Sequence, residues 1–213
     1  MRSPPGPVLA VTAAPSRARL VGLGRSEFAD RLGEAIDVYV TAMGYPRSTA
    51  RQRRSLWLEH SYRPGWRSVG WLDEQDRLTG IGYGYWGGPG QWWFEEVRRG
   101  LRARRGEPGA VSADWLTDYF ELTELHVHPQ AQGSGIGESL LRALARDAAR
   151  ARMLLSTPEY GRATPGRAWR LYRRAGFVDV LREHLFTGDP RPFAVLGREL
   201  PLLPTDHPTH APE

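Results

Sequence analysis

Apolar residues recur at helical spacing from Phe28 through Leu32, Ile36 and Val40 to Met43, and Gly44 and Pro46 stop the run, so one helix is expected over residues 26–43. A second helix follows Ser48 and reaches His60. Residues 19–24 read as a short strand. Residues 67–72 and 78–86 read as two strands about the polar turn Asp73-Glu74-Gln75-Asp76, which is a hairpin pattern ended by Gly87 to Gly90. Residues 91–105 return to helical spacing, with paired Trp92 and Trp93, then Glu95, Glu96 and a run of arginines. Residues 115–128 alternate as a central strand, and Ile136, Leu140, Leu144, Ala148 and Ala151 line one face of a helix over 135–151. A short apolar strand follows at 153–157. Thr164 and Pro165 supply an N-cap and a first-turn proline for a helix ending at Gly176. Segments 177–186 and 193–200 flank Gly188-Asp189-Pro190 as a closing hairpin. Helices alternating with a mixed sheet place the chain in the α/β or α+β class, as one domain over residues 17–200 without internal repeats.

Composition narrows the chemistry. The 213 residues are 40% hydrophobic and 10% aromatic, enough for a core and incompatible with a wholly disordered chain. No apolar run approaches the roughly 18 residues needed to cross a bilayer, so no membrane is expected as a partner. The absence of cysteine excludes disulfides, thiolate metal sites and a cysteine nucleophile. Proline-rich residues 1–16 read as a loose tail rather than a secretory leader, which makes the expected location cytoplasmic; residues 201–213, with His207 and His210, read as a second tail. All 29 basic residues are arginine and asparagine is missing, a bias that fits a GC-rich bacterial genome. The net charge of +5 still favours anionic partners, a phosphorylated cofactor ahead of nucleic acid.

The sharpest motif is Leu125-His126-Val127-His128-Pro129-Gln130-Ala131-Gln132-Gly133-Ser134-Gly135-Ile136-Gly137. Alternating glycines between a strand and a helix let a ligand approach the backbone and leave amides at the helix start pointing outward, where a pyrophosphate fits. A tight turn alone explains the glycines equally well. A dinucleotide fingerprint would need glycine where Glu138 stands, and a P-loop needs a lysine that the chain lacks. His126 and His128 lie two apart, as on one strand face, but no third metal ligand follows at suitable spacing, so no metal is expected.

Gln130-x-x-Gly133-x-Gly135 behind a strand ending in Val127-x-Pro129 resembles the acyl-CoA-binding motif of the GNAT superfamily of N-acetyltransferases. Leu171-Tyr172-Arg173-Arg174-Ala175-Gly176-Phe177 resembles that family's second signature. The resemblance implies a mostly antiparallel central sheet flanked by helices, acetyl-CoA as co-substrate, and direct attack by a primary amine of a small molecule or protein. It assigns the pyrophosphate to the amides of Gln132, Gly133, Ser134, Gly135, Ile136 and Gly137, and the pantetheine arm and thioester carbonyl to the backbone of Leu125, His126 and Val127. Tyr172 corresponds to the tyrosine that meets the CoA sulfur, although packing on Phe177 would also account for it. The base is Glu124 or Glu121, directly or through water, with His126 and His128 as further options. Three residues apart on one strand, the two glutamates are expected on opposite faces. Pro165 departs from the family, which often carries asparagine there.

The segment 87–114 is long for a loop in such a domain, and its tryptophans argue against disorder. It is expected either to cover the acceptor pocket, together with Tyr83, Tyr85, Trp86 and an attracting Glu95 or Glu96, or to anchor on the core or on a second copy in a homodimer. Two other function classes stay open: a silent acetyl-CoA sensor, and a nucleic-acid binder using Arg98, Arg99, Arg102, Arg104 and Arg105.

Overall fold

A computed structural model describes residues 17–159 and 166–202. The strands are β1 (Arg19–Leu23), β2 (Arg67–Leu72), β3 (Leu78–Trp86), β4 (Tyr119–Val127), β5 (Arg152–Pro158), β6 (Val178–Leu185) and β7 (Pro192–Glu199). They form one seven-stranded sheet in the order β1-β2-β3-β4-β5-β7-β6. Every pairing is antiparallel except β4 with β5. The helices are α1 (Arg25–Asp30), α2 (Leu32–Met43), α3 (Thr49–His60), α4 (Trp92–Ala103), α5 (Ile136–Arg146) and α6 (Arg167–Arg174).

On one face, Phe28, Leu32, Ile36, Tyr39 and Trp57 of α1–α3 pack on Ile81, Tyr83 and Tyr85 of β3. Beside them, Trp93, Phe94, Val97 and Leu101 of α4 pack on Tyr119, Leu154, Leu181 and Val195. On the other face, Leu141 and Leu144 of α5 and Tyr172 of α6 cover Phe120, Leu122, Met153 and Leu155. Segment 87–114 is therefore a layer of the domain: the apolar side of α4 fills the core and leaves Trp92 more than half exposed. Leu202 also packs on the α5–α6 core, just beyond the expected boundary.

Three expected elements differ. The helix over 26–43 breaks at Arg31, whose guanidinium reaches the β2–β3 turn and binds Asp76 Oδ2 at 2.5 Å and the Asp76 carbonyl at 2.9 Å. The central strand starts at Tyr119, because residues Ala113–Leu116 coil into a 3-10 turn capped by Ser112. Helix α5 ends at Arg146; beyond it the Ala148 carbonyl accepts from the Trp86 indole at 3.1 Å and Ala149 turns left-handed. Thr164, Pro165, residues 1–16, His207 and His210 lie outside the described residues.

Gly80, Gly82 and Gly84 alternate on the face of β3 that α5 and its neighbours cover. A Cβ at Gly80 would stand 2.9 Å from Ile136, one at Gly82 2.9 Å from Leu125, and one at Gly84 2.1 Å from the Glu121 carbonyl oxygen. A side chain can yield; the backbone oxygen of a central strand cannot. Gly84→Ala is expected to cost roughly 3 kcal/mol through overpacking and to lower the melting temperature by about 10 °C. Gly88→Ala, where a Cβ meets nothing within 4 Å, leaves it unchanged. Thermal melts of the two variants check both.

Candidate active site

The site is opened by the sheet itself. β4 pairs with β5 only at Tyr119, Phe120 and Glu121, and beyond them the two strands part. On its other edge β4 stays paired with β3 as far as Val127. The His128 amide donates to the Thr79 carbonyl of the β3 side at 2.8 Å. By strand alternation the N–H and C=O groups of Val127 and Leu125 then point the opposite way, into the gap. The Gln132 side chain donates to the Val127 carbonyl there at 2.9 Å, which ties the glycine turn to the open edge.

Past the turn, Gly133 and Gly135 take positive φ of 92° and 83°, the second as N-cap of α5. The Gln132 amide, expected in the cradle, donates instead to the Pro129 carbonyl at 3.3 Å, and the Ser139 amide donates back to the Gly135 carbonyl at 3.0 Å; the amides of Gly133 to Glu138 lie between these two bonds. A cavity of about 330 Å³ lies over this turn, lined by Gly133, Gly135, Gly137, Leu125, Val127 and Tyr172, with Arg167, Arg170 and Arg174 of α6 along its rim. Outward amides, a helix N-terminus and three guanidinium groups form a chemical match for a diphosphate ester such as coenzyme A.

A second cavity of about 560 Å³ occupies the same gap on the α2–α3 and α4 face. Tyr39, Tyr45, Trp92, Trp93, Phe186 and Phe193 wall it, and Arg53, Arg167, Arg191, Asp189, Glu124 and His126 bring it charged groups and an imidazole. Leu125, Val127 and Tyr172 border both cavities. Tyr172 packs on Phe177, ring centroids 5.6 Å apart, and is 6% exposed. Burial, and after it the charge of Glu124, push its phenol well above the usual value of 10, so it stays protonated.

The glutamates do not lie as strand alternation predicts. Tyr83 pairs with Glu124 and Gly84 with Leu122, so Thr123 is an extra residue, a bulge. It shifts the phase by one, and both carboxylates turn to the α3 side. Glu124 lines the second cavity with both oxygens engaged: Trp57 Nε1 donates to Oε1 at 3.2 Å, and Oε2 stands 2.5 Å from His126 Nε2. The His126 ring meets the edge of Tyr39, centroids 5.0 Å apart. Glu121 is 3% exposed and lines neither cavity. The Tyr85 hydroxyl donates to its Oε1 at 3.0 Å, Oε2 has no partner among the described residues, and burial pushes its carboxyl up to about 7.

Other expectations shift for similar reasons. His128 leaves the strand and accepts from the Gln130 amide, so it does not share a face with His126 in the strand; no group of three potential metal ligands occurs among the described residues. Tyr83 and Tyr85 are buried beneath α3, and Trp86 turns to Ala148 and Arg150, so none of the three walls the second cavity. Glu95 is paired with Arg98, and Glu96 accepts from Arg99 and from the Thr187 amide, which directs both away from it. Trp57, Tyr39 and Arg53 went unmarked in the sequence. Their role depends on contacts across the fold, such as the 67 residues between Trp57 and Glu124.

A family model for an acetyltransferase (GNAT) domain matches residues 91–179, from α4 through the glycine turn and α6. Two solved structures share the fold. The GNAT superfamily phosphinothricin acetyltransferase of Sinorhizobium meliloti, in complex with AcCoA, is 18% identical with a TM-score of 0.55, over 87% of this chain and 89% of that one. The ribosomal-protein-S18-alanine N-acetyltransferase of Escherichia coli is 14% identical with a TM-score of 0.55, over 89% and 97%. A GCN5-like protein acetyltransferase of Mycobacterium tuberculosis is 46% identical over 204 residues, 86% of this chain and 98% of the relative. That identity over almost the whole relative, joined to the open strand edge and the glycine cradle, establishes that the chain belongs to the GNAT family of acetyl-CoA-dependent acetyltransferases.

Proposed function

We propose that the protein transfers the acetyl group of acetyl-CoA directly to a primary amine held in the second cavity. The observation that carries this reading is that the two cavities meet at Leu125, Val127 and Tyr172, beside Glu124 and His126. A thioester reaching through the gap from the glycine turn would present its carbonyl to the open edge of β4, and an amine entering from the other side would approach that carbon. The M. tuberculosis relative's name makes a protein amine one acceptor class, and a small amine is the other. The arginine bias and the mycobacterial relative support a bacterial enzyme, which we read as cytoplasmic.

The amine must lose protons and the sulfur must leave with its charge satisfied. With His126 Nε2–H donated to Glu124, Nδ1 of the ring is the atom that receives the amine proton; Trp57 holds the carboxylate and Tyr39 the ring. As the C–N bond forms and the C–S bond breaks, the backbone N–H groups on the open edge of β4 stabilise the carbonyl oxygen. The neutral Tyr172 hydroxyl donates to the departing sulfur. Glu121 supports the fold from beneath, through Tyr85.

Three measurements test this. Calorimetry with acetyl-CoA should give saturable binding that Ser134→Asp weakens at least about ten-fold, because a carboxylate in the cradle repels the diphosphate; equal affinity would rule the cradle out, and steep salt-dependent retention of RNA without coenzyme binding would favour the nucleic-acid reading. In thiol-release assays with an amine panel, Glu124→Gln and His126→Gln should each lower kcat about 100-fold, and Tyr172→Phe about ten-fold or more. Binding without turnover of any amine would leave a coenzyme sensor. Third, because the fold favours the neutral acid of Glu121, its contribution is complete below the ordinary value of 4.5 and is lost as pH rises through about 7. The urea midpoint of the wild-type protein should therefore fall between pH 5 and 8, while Glu121→Gln removes that slope and keeps turnover within a few-fold. Parallel stability profiles for the two proteins would contradict the assignment.

A further inference from the structure

The geometry points to an acceptor that carries a carboxylate beside its amine, with Arg53 as the residue that reads it. The inference rests on the amine-transfer reading above and narrows its substrate class. The cations of the second cavity are Arg53, Arg167 and Arg191. Arg191 is neutralised by Asp189, which meets its Nη2 at 2.6 Å and its Nε at 2.9 Å, and it also donates to the Tyr45 hydroxyl at 2.9 Å. Arg167 lines the coenzyme cavity as well and reaches the surroundings of Gly133, so its charge serves the diphosphate. Arg53 is different. It is half-buried on α3, lines the acceptor cavity alone, and forms no ion pair among the described residues.

Its position is fixed by Tyr39, over whose ring the guanidinium sits at 5.4 Å from the centroid. Burial pushes the Tyr39 phenol up to about 12, so that ring stays neutral and does not discharge the arginine. The opposite edge of the arrangement is His126, 5.0 Å from the same ring by centroid. One aromatic ring thus separates the group that takes the amine proton from a guanidinium without an anionic partner among the described residues. A guanidinium held over a neutral ring, with a hydrogen bond to the Tyr39 hydroxyl and no ion pair among the described residues, keeps further donors suited to contact with a carboxylate. The acceptor's amine meets His126, its acid group meets Arg53, and the rest of it runs along Trp92, Phe186 and Phe193.

The carboxylate belongs either to a free amino acid or to an acidic side chain beside a lysine, and two arms separate these sources. The first compares ω-amino acids from glycine to 5-aminopentanoate with their carboxamides; the second compares lysine peptides flanked by glutamate with the same peptides flanked by glutamine. In at least one arm kcat/KM should be about ten-fold or more higher for the acid, mainly through KM, as expected for one charge-assisted contact. R53Q should bring that ratio close to one, R53K should restore part of it, and R51Q, on the exposed side of the same helix, should leave it as in the wild-type protein. Equal kcat/KM for acid and neutral partner in both arms would overturn the proposal, as would an R53Q variant that keeps the ratio. Should no amine be acetylated, the transfer reading fails separately. Calorimetric titration of the same pairs into CoA-loaded protein then decides the carboxylate question: tighter binding of the acid, lost in R53Q, supports it, and equal or absent binding overturns it.

Discussion

Two strands that run together for three residue pairs and then separate are the constraint on which this molecule depends. A parallel pair in the middle of a sheet is normally hydrogen-bonded along its length and covered on both faces. Here β4 leaves β5 at Glu121 while remaining bound to β3, so its far half keeps one edge of unpaired backbone groups inside the protein. Buried backbone polar groups need partners. The Gln132 side chain supplies one at Val127, and the rest of that edge pairs with no strand among the described residues. The two cavities are the two mouths of that gap.

The helices follow from it. α5 can deliver the glycine turn to the end of β4 because glycines at 80 and 82 let it seat close on β3. α6 brings Tyr172 to the border of both cavities by burying it against Phe177. On the opposite face, α2 and α3 hold Tyr39, Trp57 and Arg53 around the Glu124–His126 pair, and α4 closes the far wall with Trp92 and Trp93. The glycine turn and the α6 arginines lie on one side of the gap, and the Glu124–His126 pair on the other.

Much of this was legible in the residue order where the information is local. The periodicity of Ile136, Leu140 and Leu144 marked α5, and the spacing of Gly133 and Gly135 marked a turn whose backbone a ligand can approach. The helical spacing of α4 was visible as well, though not that both its tryptophans reach the cavity while Trp93 also fills the core. Other features are not local. Residues 119–127 alternate well enough that the extra residue at Thr123 leaves no mark in the pattern, yet it brings Glu121 and Glu124 to one side of the sheet. Arg31, where the helix breaks, pairs with Asp76 across the fold, and Trp57 gains meaning only through Glu124, which no spacing rule connects to it.

The account is tested most directly by a crystal structure of the protein grown with acetyl-CoA. It predicts the diphosphate within hydrogen-bonding distance of the amides between Gly133 and Gly137. It also predicts the pantetheine arm paired to the free edge of β4 at Leu125 and Val127, and the sulfur beside the Tyr172 hydroxyl. A coenzyme bound elsewhere, or a β4 edge closed by β5 along its whole length, would contradict it.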